Sequence, residues 1–414
     1  MVAAENSAFD DGADRRTGTN GAVLVYGIIL STVVLQLFAV PGAGAFGLGL
    51  AVGLVLVAWA ILAGYLRVDP FRLCAYMLAL TALTATLAMK WAPFSVVSFL
   101  MLATIYLPFI VVAATDRIGY LLVLDAYQRV AIFTAVCGIG QFAIQFMLGT
   151  AWMFPFQLVL PESFFIPLYN LRIPITDGVF YLKSTGIWFL EPSLFSQALA
   201  FALLIEILYF RRLGVLLLFG FAYISSFSGT GVLLLAAVAI PVLIRMRQLW
   251  PLVGMVALLI ALLVLKDVPP ISFFVARLGE FGHPFSSGSM RFFAPFWLTR
   301  DVILDDPLIF WFGLGPGATS DTFLLPDYAV QDTFWLKLFL EYGVFGAVPF
   351  MGFYLFVLFH RSPDKLLSFA FLFQSMFLGG YLNSYFVQFL MLVLVGWPRI
   401  IDANPAATGR EPRA

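Results

Sequence analysis

A long polar stretch, Lys266 to Asp332, interrupts a chain that is otherwise strongly apolar. It contains three arginines and a histidine that could bind a charged substrate: Arg277, Arg291, Arg300 and His283. A guanidinium offers paired hydrogen-bond donors that match the oxygens of a phosphate. A serine-rich patch, Ser286–Ser289, lies among these residues. Polar chemistry gathered in one long loop of an apolar protein predicts a functional site in that loop.

The composition predicts an integral membrane protein. The 414 residues are 62% hydrophobic and 11% charged, whereas a soluble domain has roughly 25% charged residues. The mean hydropathy is +0.98, so the chain cannot present a water-compatible surface. Its formal net charge is zero, which gives no indication of nucleic acid as a partner. Cys74 and Cys137 fall within apolar segments, and we expect buried thiols there, not a disulfide or a metal site.

About twelve apolar segments approach the roughly 20 residues that a helix needs to cross a bilayer. They are 22–40, 45–66, 71–89, 95–114, 130–148, 194–210, 213–227, 231–244, 249–265, 334–359, 366–382 and 385–397. The two segments around Ser228–Gly231 are short and could form a hairpin that does not fully cross, which leaves the count open. We predict an all-α polytopic bundle over residues 21–401, with polar tails at 1–20 and 402–414.

The distribution of basic residues predicts the orientation of the bundle. Lysine and arginine concentrate in connections on the cytoplasmic side of a membrane protein. Basic residues recur here in alternate connections and at both termini: Arg15, Arg16, Arg67, Arg72, Arg117, Arg129, Arg211, Arg212, Arg245, Arg247, Arg361, Lys365, Arg399, Arg410 and Arg413. Both termini are then cytoplasmic, and two long loops face outward, at about 150–191 and 266–332. The second outer loop holds more acidic than basic residues, so orientation does not explain its arginines.

Both outer loops are also rich in aromatic residues. The first loop contains Trp152, Phe154, Phe156, Phe164, Phe165 and Tyr169, and the second contains Phe292, Phe293, Phe296, Trp297, Phe310, Trp311 and Phe312. Such rings form the belt of a membrane protein at headgroup depth. A second interpretation is that some of them stack against sugar rings.

Several functional classes find no support in the sequence. It contains no phosphate-binding P-loop, no H-E-x-x-H and no C-x-x-C pattern. With only two histidines, a histidine-based metal site is not expected, and we predict no cofactor. Ion-coupled transporters usually place carboxylates near the bilayer midplane. Here Lys337 and Glu341 lie near the outer end of their segment, four residues apart, where they can pair on one helix face.

Three short patterns follow one another in a fixed order. They are Lys183-Ser-Thr-Gly186 with Glu191-Pro192-Ser193; then Arg291, Trp297, Pro307-Leu308 and Gly313-Leu-Gly315; and then Asp332 with Glu341-Tyr-Gly343. In this order and placement, the region 181–355 resembles the O-antigen polymerase and ligase family, which includes the Wzy-type polysaccharide polymerases.

The resemblance implies a glycosyltransferase-C-like bundle in the bacterial inner membrane, with two long periplasmic loops. It implies an enzyme that joins glycans carried on undecaprenyl pyrophosphate at the outer face of that membrane. The donor would be the lipid pyrophosphate itself, with no nucleotide sugar. Implied partners are the lipid-linked glycan, the bilayer, a chain-length regulator and export proteins.

The resemblance also suggests which cations would bind the pyrophosphate. Arg291 aligns best with the arginine of the family, and it would stabilise the charge that grows on the leaving group. Arg277 is the second candidate, because an Arg-x10-Gly spacing runs from it to Gly288. Further candidates are Lys183, Arg172 and Arg300. Each of these residues could instead be an ordinary loop charge or a headgroup contact.

The acceptor hydroxyl must lose a proton, which calls for a general base. Candidates are Glu191, Asp332 and His283. Glu191 before Pro192 and Asp332 before Thr333 also have the positions of ordinary helix caps. The family's ligases usually have histidine where Asp332 stands, so the aspartate favours a polymerase over a ligase.

Two other functions stay open at this point. A ligase would transfer preformed polymer to another acceptor, and its deletion would leave polymer length unchanged. A transporter of lipid-linked sugar would instead leave repeat units on the cytoplasmic side when it is deleted. The lack of charge near the midplane of the predicted spans argues against the transporter.

Overall fold

A computed structural model describes residues 19–42, 46–89, 94–114, 119–167, 169, 171–175, 178–247, 264, 268, 285–319 and 328–398. It is mostly helical, at 71%. Within the described residues, four helices are long and apolar enough to cross a membrane, and seven shorter apolar helices accompany them. This architecture agrees with the predicted helical membrane protein, while the count of twelve spans stays a prediction.

The helices are numbered in chain order. They are α1 (Thr19–Val33), α2 (Leu48–Leu62), α3 (Pro70–Ala88), α4 (Val96–Tyr106), α5 (Tyr120–Leu148), α6 (Pro155–Val159), α7 (Pro192–Ile205), α8 (Leu213–Ser226), α9 (Thr230–Met246), α10 (Ser287–Phe292), α11 (Ala294–Leu298), α12 (Pro307–Phe312), α13 (Phe334–Phe359), α14 (Lys365–Phe377) and α15 (Tyr385–Met391). Two strands, β1 (Leu66–Val68) and β2 (Val111–Ala113), pair antiparallel. The four candidate spans are α3, α5, α7 with the turn that follows it to Phe210, and α13.

Some predicted segments match these helices closely and others do not. Helix α13 has the predicted bounds 334–359. The prediction 22–40 is wrong at its end, because α1 stops at Val33 and the chain turns to pair with the first long loop. There Ala39 donates its backbone N–H to the Phe164 carbonyl at 2.8 Å. An apolar pattern cannot distinguish such a turn from more helix. The predicted segment 249–265 lies outside the described residues, apart from residue 264.

The start of α5 also differs from its prediction of 130–148. The helix begins at Tyr120, so Arg129 lies within it and not in a connection. Arg129 pairs with Asp125 at 2.7 Å, four residues earlier on the same face. Such a pair lets a charged residue remain inside a helical segment.

Helix α13 is broken at Gly343, where φ is 61° and ψ is −172°. The break leaves backbone carbonyls without helical partners, and the loop after α12 supplies donors for two of them. Leu314 N–H donates to the Leu340 carbonyl at 2.7 Å, and Gly315 N–H donates to the Glu341 carbonyl at 2.9 Å. The Gly313-Leu-Gly315 pattern therefore completes the hydrogen bonding of a discontinuous helix.

Contacts between α7, α9 and α14 define one end of the bundle. Tyr209, after α7, donates its hydroxyl to Asp364, the cap of α14. Arg245, in the last turn of α9, pairs with the same carboxylate at 2.6 Å. Three of the connections predicted to be cytoplasmic therefore lie together. The opposite end, where α7 and α13 begin and the long loops meet, is called the loop end below.

Candidate functional site

The turn 183–187 in the first long loop is fixed on α5 by one side chain. The Gln141 amide oxygen accepts from Thr185 N–H at 2.8 Å, from the Ser184 hydroxyl at 2.8 Å and from Ile187 N–H at 3.1 Å. Gly186 has a φ of +65°, and a Cβ there would lie 2.7 Å from the Phe195 ring. The turn therefore requires glycine at position 186. Its contact with Phe195 fixes the path of the chain as it enters α7. Lys183 is buried in this segment, with 4% exposed.

Glu191 stands at the cap position of α7, and Pro192 is the first helical residue, as predicted. However, its side chain makes no hydrogen bond to the backbone of the helix end. The carboxylate accepts from the Ser193 hydroxyl at 2.9 Å instead, and the residue is half-buried. The Glu191 carboxylate therefore accepts no hydrogen bond from the first backbone N–H groups of α7.

Asp332 does not have the cap position predicted for it, because Thr333 holds that position in α13. The Asp332 carboxylate pairs with the Lys337 ammonium at 3.1 Å. The predicted pairing of Lys337 with Glu341 is confirmed at 3.9 Å. Glu341 also accepts from Gly317 N–H at 3.0 Å, so the second loop is tied to α13 by this carboxylate. The Asp332 carboxylate therefore forms an ion pair with Lys337 and does not bond to the helix end. The sequence pattern alone does not distinguish these two roles.

Arg291 lies in α10, a short helix capped by the Ser286 hydroxyl, which accepts from Ser289 N–H at 3.2 Å. The Arg291 Nε donates to the Gln331 amide oxygen. In return, Gln331 N–H donates to the Met290 carbonyl at 3.0 Å. These two bonds hold the guanidinium beside the segment that carries Asp332. They use one of its five N–H donors.

Tyr381 links these residues, and sequence reasoning did not identify it. It lies in the segment 378–384 between α14 and α15 and is 5% exposed. Both the Arg291 guanidinium and the Glu191 carboxylate are close enough to act electrostatically on its hydroxyl. The glycine and polar residues at 379–384, between two apolar segments, were a signal that could have drawn attention to it.

A buried amide network positions Tyr381. Its hydroxyl donates to the Gln197 side-chain oxygen at 2.8 Å, and its carbonyl accepts from Gln388 Nε2 at 2.8 Å. Gln197 also accepts from Gln374 Nε2 at 2.9 Å. Gln197 and Gln388 are fully buried, so these bonds form in a low-dielectric interior, where they rigidify the segment.

Tyr169, in the first long loop, brings Asp332 into the same group. Burial around its hydroxyl and the nearby carboxylates of Glu191 and Asp332 raise the pKa of Tyr169 to about 12. The hydroxyl therefore stays protonated at neutral pH and can donate a hydrogen bond. We call Arg291, Glu191, Asp332, Tyr169 and Tyr381 the polar cluster. It combines a cation with two carboxylates and two hydroxyls at the loop end.

Four other sequence-predicted residues lie elsewhere or outside the described residues. Arg300 is exposed, at 73% of its side chain, and pairs with its neighbour Asp301 at 2.6 Å. The Arg172 guanidinium lies 5.6 Å from the centre of the Phe154 ring, at the edge of an open pocket. Arg277 and His283 fall outside the described residues. In the part of the chain that the structure describes, no group of three or more histidine, cysteine, aspartate or glutamate residues could hold a metal.

No protein-family model matches this chain, and no curated protein matches it. The assignment of a function therefore depends on the polar cluster and on the order of the sequence patterns.

Proposed function

We propose that this chain is a membrane glycosyltransferase that polymerises oligosaccharide repeat units carried on undecaprenyl pyrophosphate. The observation that carries the proposal is the polar cluster at one end of an apolar helical bundle. Arg291 bonds to Gln331, the residue before Asp332, and the Asp332 carboxylate lies against Gly380, the residue before Tyr381. Glu191 contributes to the electrostatics at both tyrosines. The motif order described above supports the same function. We further propose that the loop end faces the periplasm of a bacterial inner membrane, with both termini in the cytoplasm.

The proposed reaction forms one bond and breaks one. The acceptor hydroxyl oxygen attacks the anomeric carbon of the donor sugar, and the bond from that carbon to the pyrophosphate oxygen breaks. Negative charge grows on the departing pyrophosphate. Arg291 is the group in the polar cluster that stabilises this charge, because its donors can engage two phosphate oxygens at once.

The acceptor proton passes to a carboxylate in this proposal. Asp332 is engaged by the Lys337 ammonium at 3.1 Å, whereas Glu191 has the Ser193 hydroxyl as its hydrogen-bond partner at 2.9 Å. We therefore assign Glu191 as the general base. Asp332 then orients Lys337 and adds negative charge near Tyr169.

A deletion strain tests the proposed function directly. Loss of a polymerase should leave single lipid-linked repeat units on the outer leaflet and remove long polymer, and a plasmid copy should reverse both. Accumulation of long lipid-linked polymer would identify a ligase instead. Repeat units that an impermeant label cannot reach would identify a transporter. Lipid extracts separated by chain length, with and without surface labelling, distinguish the three results.

Replacing Tyr381 by phenylalanine should lower polymer formation about tenfold, because the polar cluster loses a hydroxyl and the buried Gln197 oxygen loses one of its two donors. Polymer yield per unit of membrane protein is the measurement. Tyr354→Phe is the matched control, since it also removes a buried hydroxyl that bonds to a side chain, here Ser375 at 2.8 Å. Both variants should lose similar thermal stability, and only Tyr381→Phe should lose activity. Equal activity in the two variants would contradict a role for Tyr381 in the cluster.

A further inference from the structure

An open pocket of about 360 Å³ lies in the first long loop, beside the polar cluster. Its volume falls within the roughly 300–1,000 Å³ of ordinary small-molecule sites. The residues that matter here are Gln157, Glu162, Phe165, Tyr169, Leu171 and Arg172. Tyr169 belongs to both the pocket and the polar cluster, so a ligand in the pocket would reach towards Glu191 and Asp332.

The wall that carries Phe165 is held firmly against the end of α1. Phe165 forms a bridge with Phe38, and the two rings lie 6.0 Å apart. Ile166 N–H donates to the Leu37 carbonyl at 3.1 Å. Backbone pairing of this kind gives a pre-formed wall, which lowers the entropy cost of binding a ligand.

The lining favours a hydroxyl-rich ligand over a phosphate. Phe165 and Tyr169 supply aromatic surface, and more than a third of Tyr169 is exposed, at 37%. Gln157 can both donate and accept hydrogen bonds, while Glu162 accepts them and Arg172 donates them. The two charged residues cancel formally, so the lining lacks the net positive charge that a phosphate would attract.

We propose that this pocket is a carbohydrate subsite that binds the acceptor oligosaccharide and directs its hydroxyl towards the polar cluster. The inference rests on the proposed function, since it identifies where that reaction holds one of its substrates. In this proposal, Phe165 and Tyr169 of the first long loop contact sugar rings in addition to any contact with lipid headgroups.

The test uses the full-length protein in nanodiscs and lipid-linked repeat units extracted from the deletion strain. The free oligosaccharide, released from the same lipid by mild acid, serves as a soluble competitor. In the double variant Gln157→Ala with Glu162→Ala, the apparent KM should rise roughly tenfold with kcat retained, since two hydrogen bonds to the sugar are lost. The competitor should inhibit the wild-type protein and inhibit the double variant about tenfold less strongly.

Ser163→Ala is the matched control, because Ser163 is an exposed residue of the same helical turn, Glu162–Phe164, and does not line the pocket. An unchanged KM and unchanged inhibition in a folded double variant would overturn the subsite while leaving the polymerase proposal intact. If soluble glycerol phosphate inhibited the wild-type protein as strongly as the free oligosaccharide does, the pocket would be a lipid-headgroup site. That result would also overturn the carbohydrate subsite. A wild-type protein that makes no polymer from these repeat units would refute the proposed function first, and the subsite with it.

Discussion

Replacing Arg291 by alanine should remove nearly all long polymer and cause single lipid-linked repeat units to accumulate. The guanidinium is the cation of the polar cluster, and it is held in place by Gln331 and lies within electrostatic reach of Tyr381. Loss of one group that stabilises transition-state charge typically lowers a rate by roughly 10²–10³. Arg291→Lys should recover only part of the activity, because an ammonium keeps the charge and loses the paired donors. Polymer length on gels and mass spectrometry of lipid extracts measure both effects.

Two comparisons make this result specific. Arg300 belongs to the same long loop, but it is exposed and paired with Asp301, so Arg300→Ala should change polymer formation little. Gln331→Ala keeps the guanidinium and removes the partner of its Nε, so it should give an intermediate loss. Long polymer at normal levels from a stably expressed Arg291→Ala protein would exclude the proposed role.

The sequence predicted the helical membrane architecture, and it predicted α13 to the residue, because a long apolar segment with a polar start has one straightforward interpretation. It failed at α1, where the chain leaves the helix to pair with a loop more than 120 residues away in sequence. It located Glu191 correctly at the cap position of α7, but it was one residue off at α13, where Thr333 and not Asp332 holds that position. The two acidic side chains bond instead to Ser193 and Lys337, and such a choice depends on neighbours in space.

The two tyrosines of the polar cluster show a second limit of sequence reasoning. Tyr169 and Tyr381 are separated by more than 200 residues, and neither belongs to a pattern that indicates chemistry on its own. Their relation to Arg291, Glu191 and Asp332 arises from packing of both long loops against the segment 378–384. Gly380 is part of that packing, since a Cβ there would lie 2.3 Å from the Asp332 carboxylate.

The glycines near the polar cluster have a backbone role that the motif pattern alone does not reveal. A Cβ on Gly313 would lie 2.5 Å from the backbone of Glu341 and Tyr342, and a Cβ on Gly343 would lie 2.4 Å from the backbone N of Phe312. The loop after α12 and the break in α13 thus fit together with no room for side chains. Glu341 lies at the same contact, where its carbonyl accepts from Gly315 N–H and its carboxylate accepts from Gly317 N–H, so the loop that carries these glycines holds Glu341 in place.

Replacing Gly343 by alanine should therefore prevent accumulation of folded protein in the membrane. Its φ of 61° with ψ of −172° belongs to a region that is essentially restricted to glycine, and strain there costs on the order of 1–3 kcal/mol. The clash with the Phe312 backbone adds to that cost. Neither α12 nor the break in α13 can move away without breaking the hydrogen bonds that Leu314 and Gly315 donate. A fluorescent fusion followed by size-exclusion chromatography should show loss of the monodisperse peak, or a strongly lowered Tm.

Gly352→Ala is the control on the same helix, since a Cβ at Gly352 would meet nothing within 4 Å. That change should be neutral or should stabilise the helix by up to about 1 kcal/mol, because alanine has the higher helix propensity. Gly313→Ala should reproduce the Gly343→Ala defect. Its Cβ would clash with the backbone of Glu341 and Tyr342, across the same contact between the loop and α13. If Gly343→Ala folded like the wild-type protein, α13 could form a continuous helix at residue 343. The Gly313–Gly315 loop would then not be needed to complete the hydrogen bonding of α13.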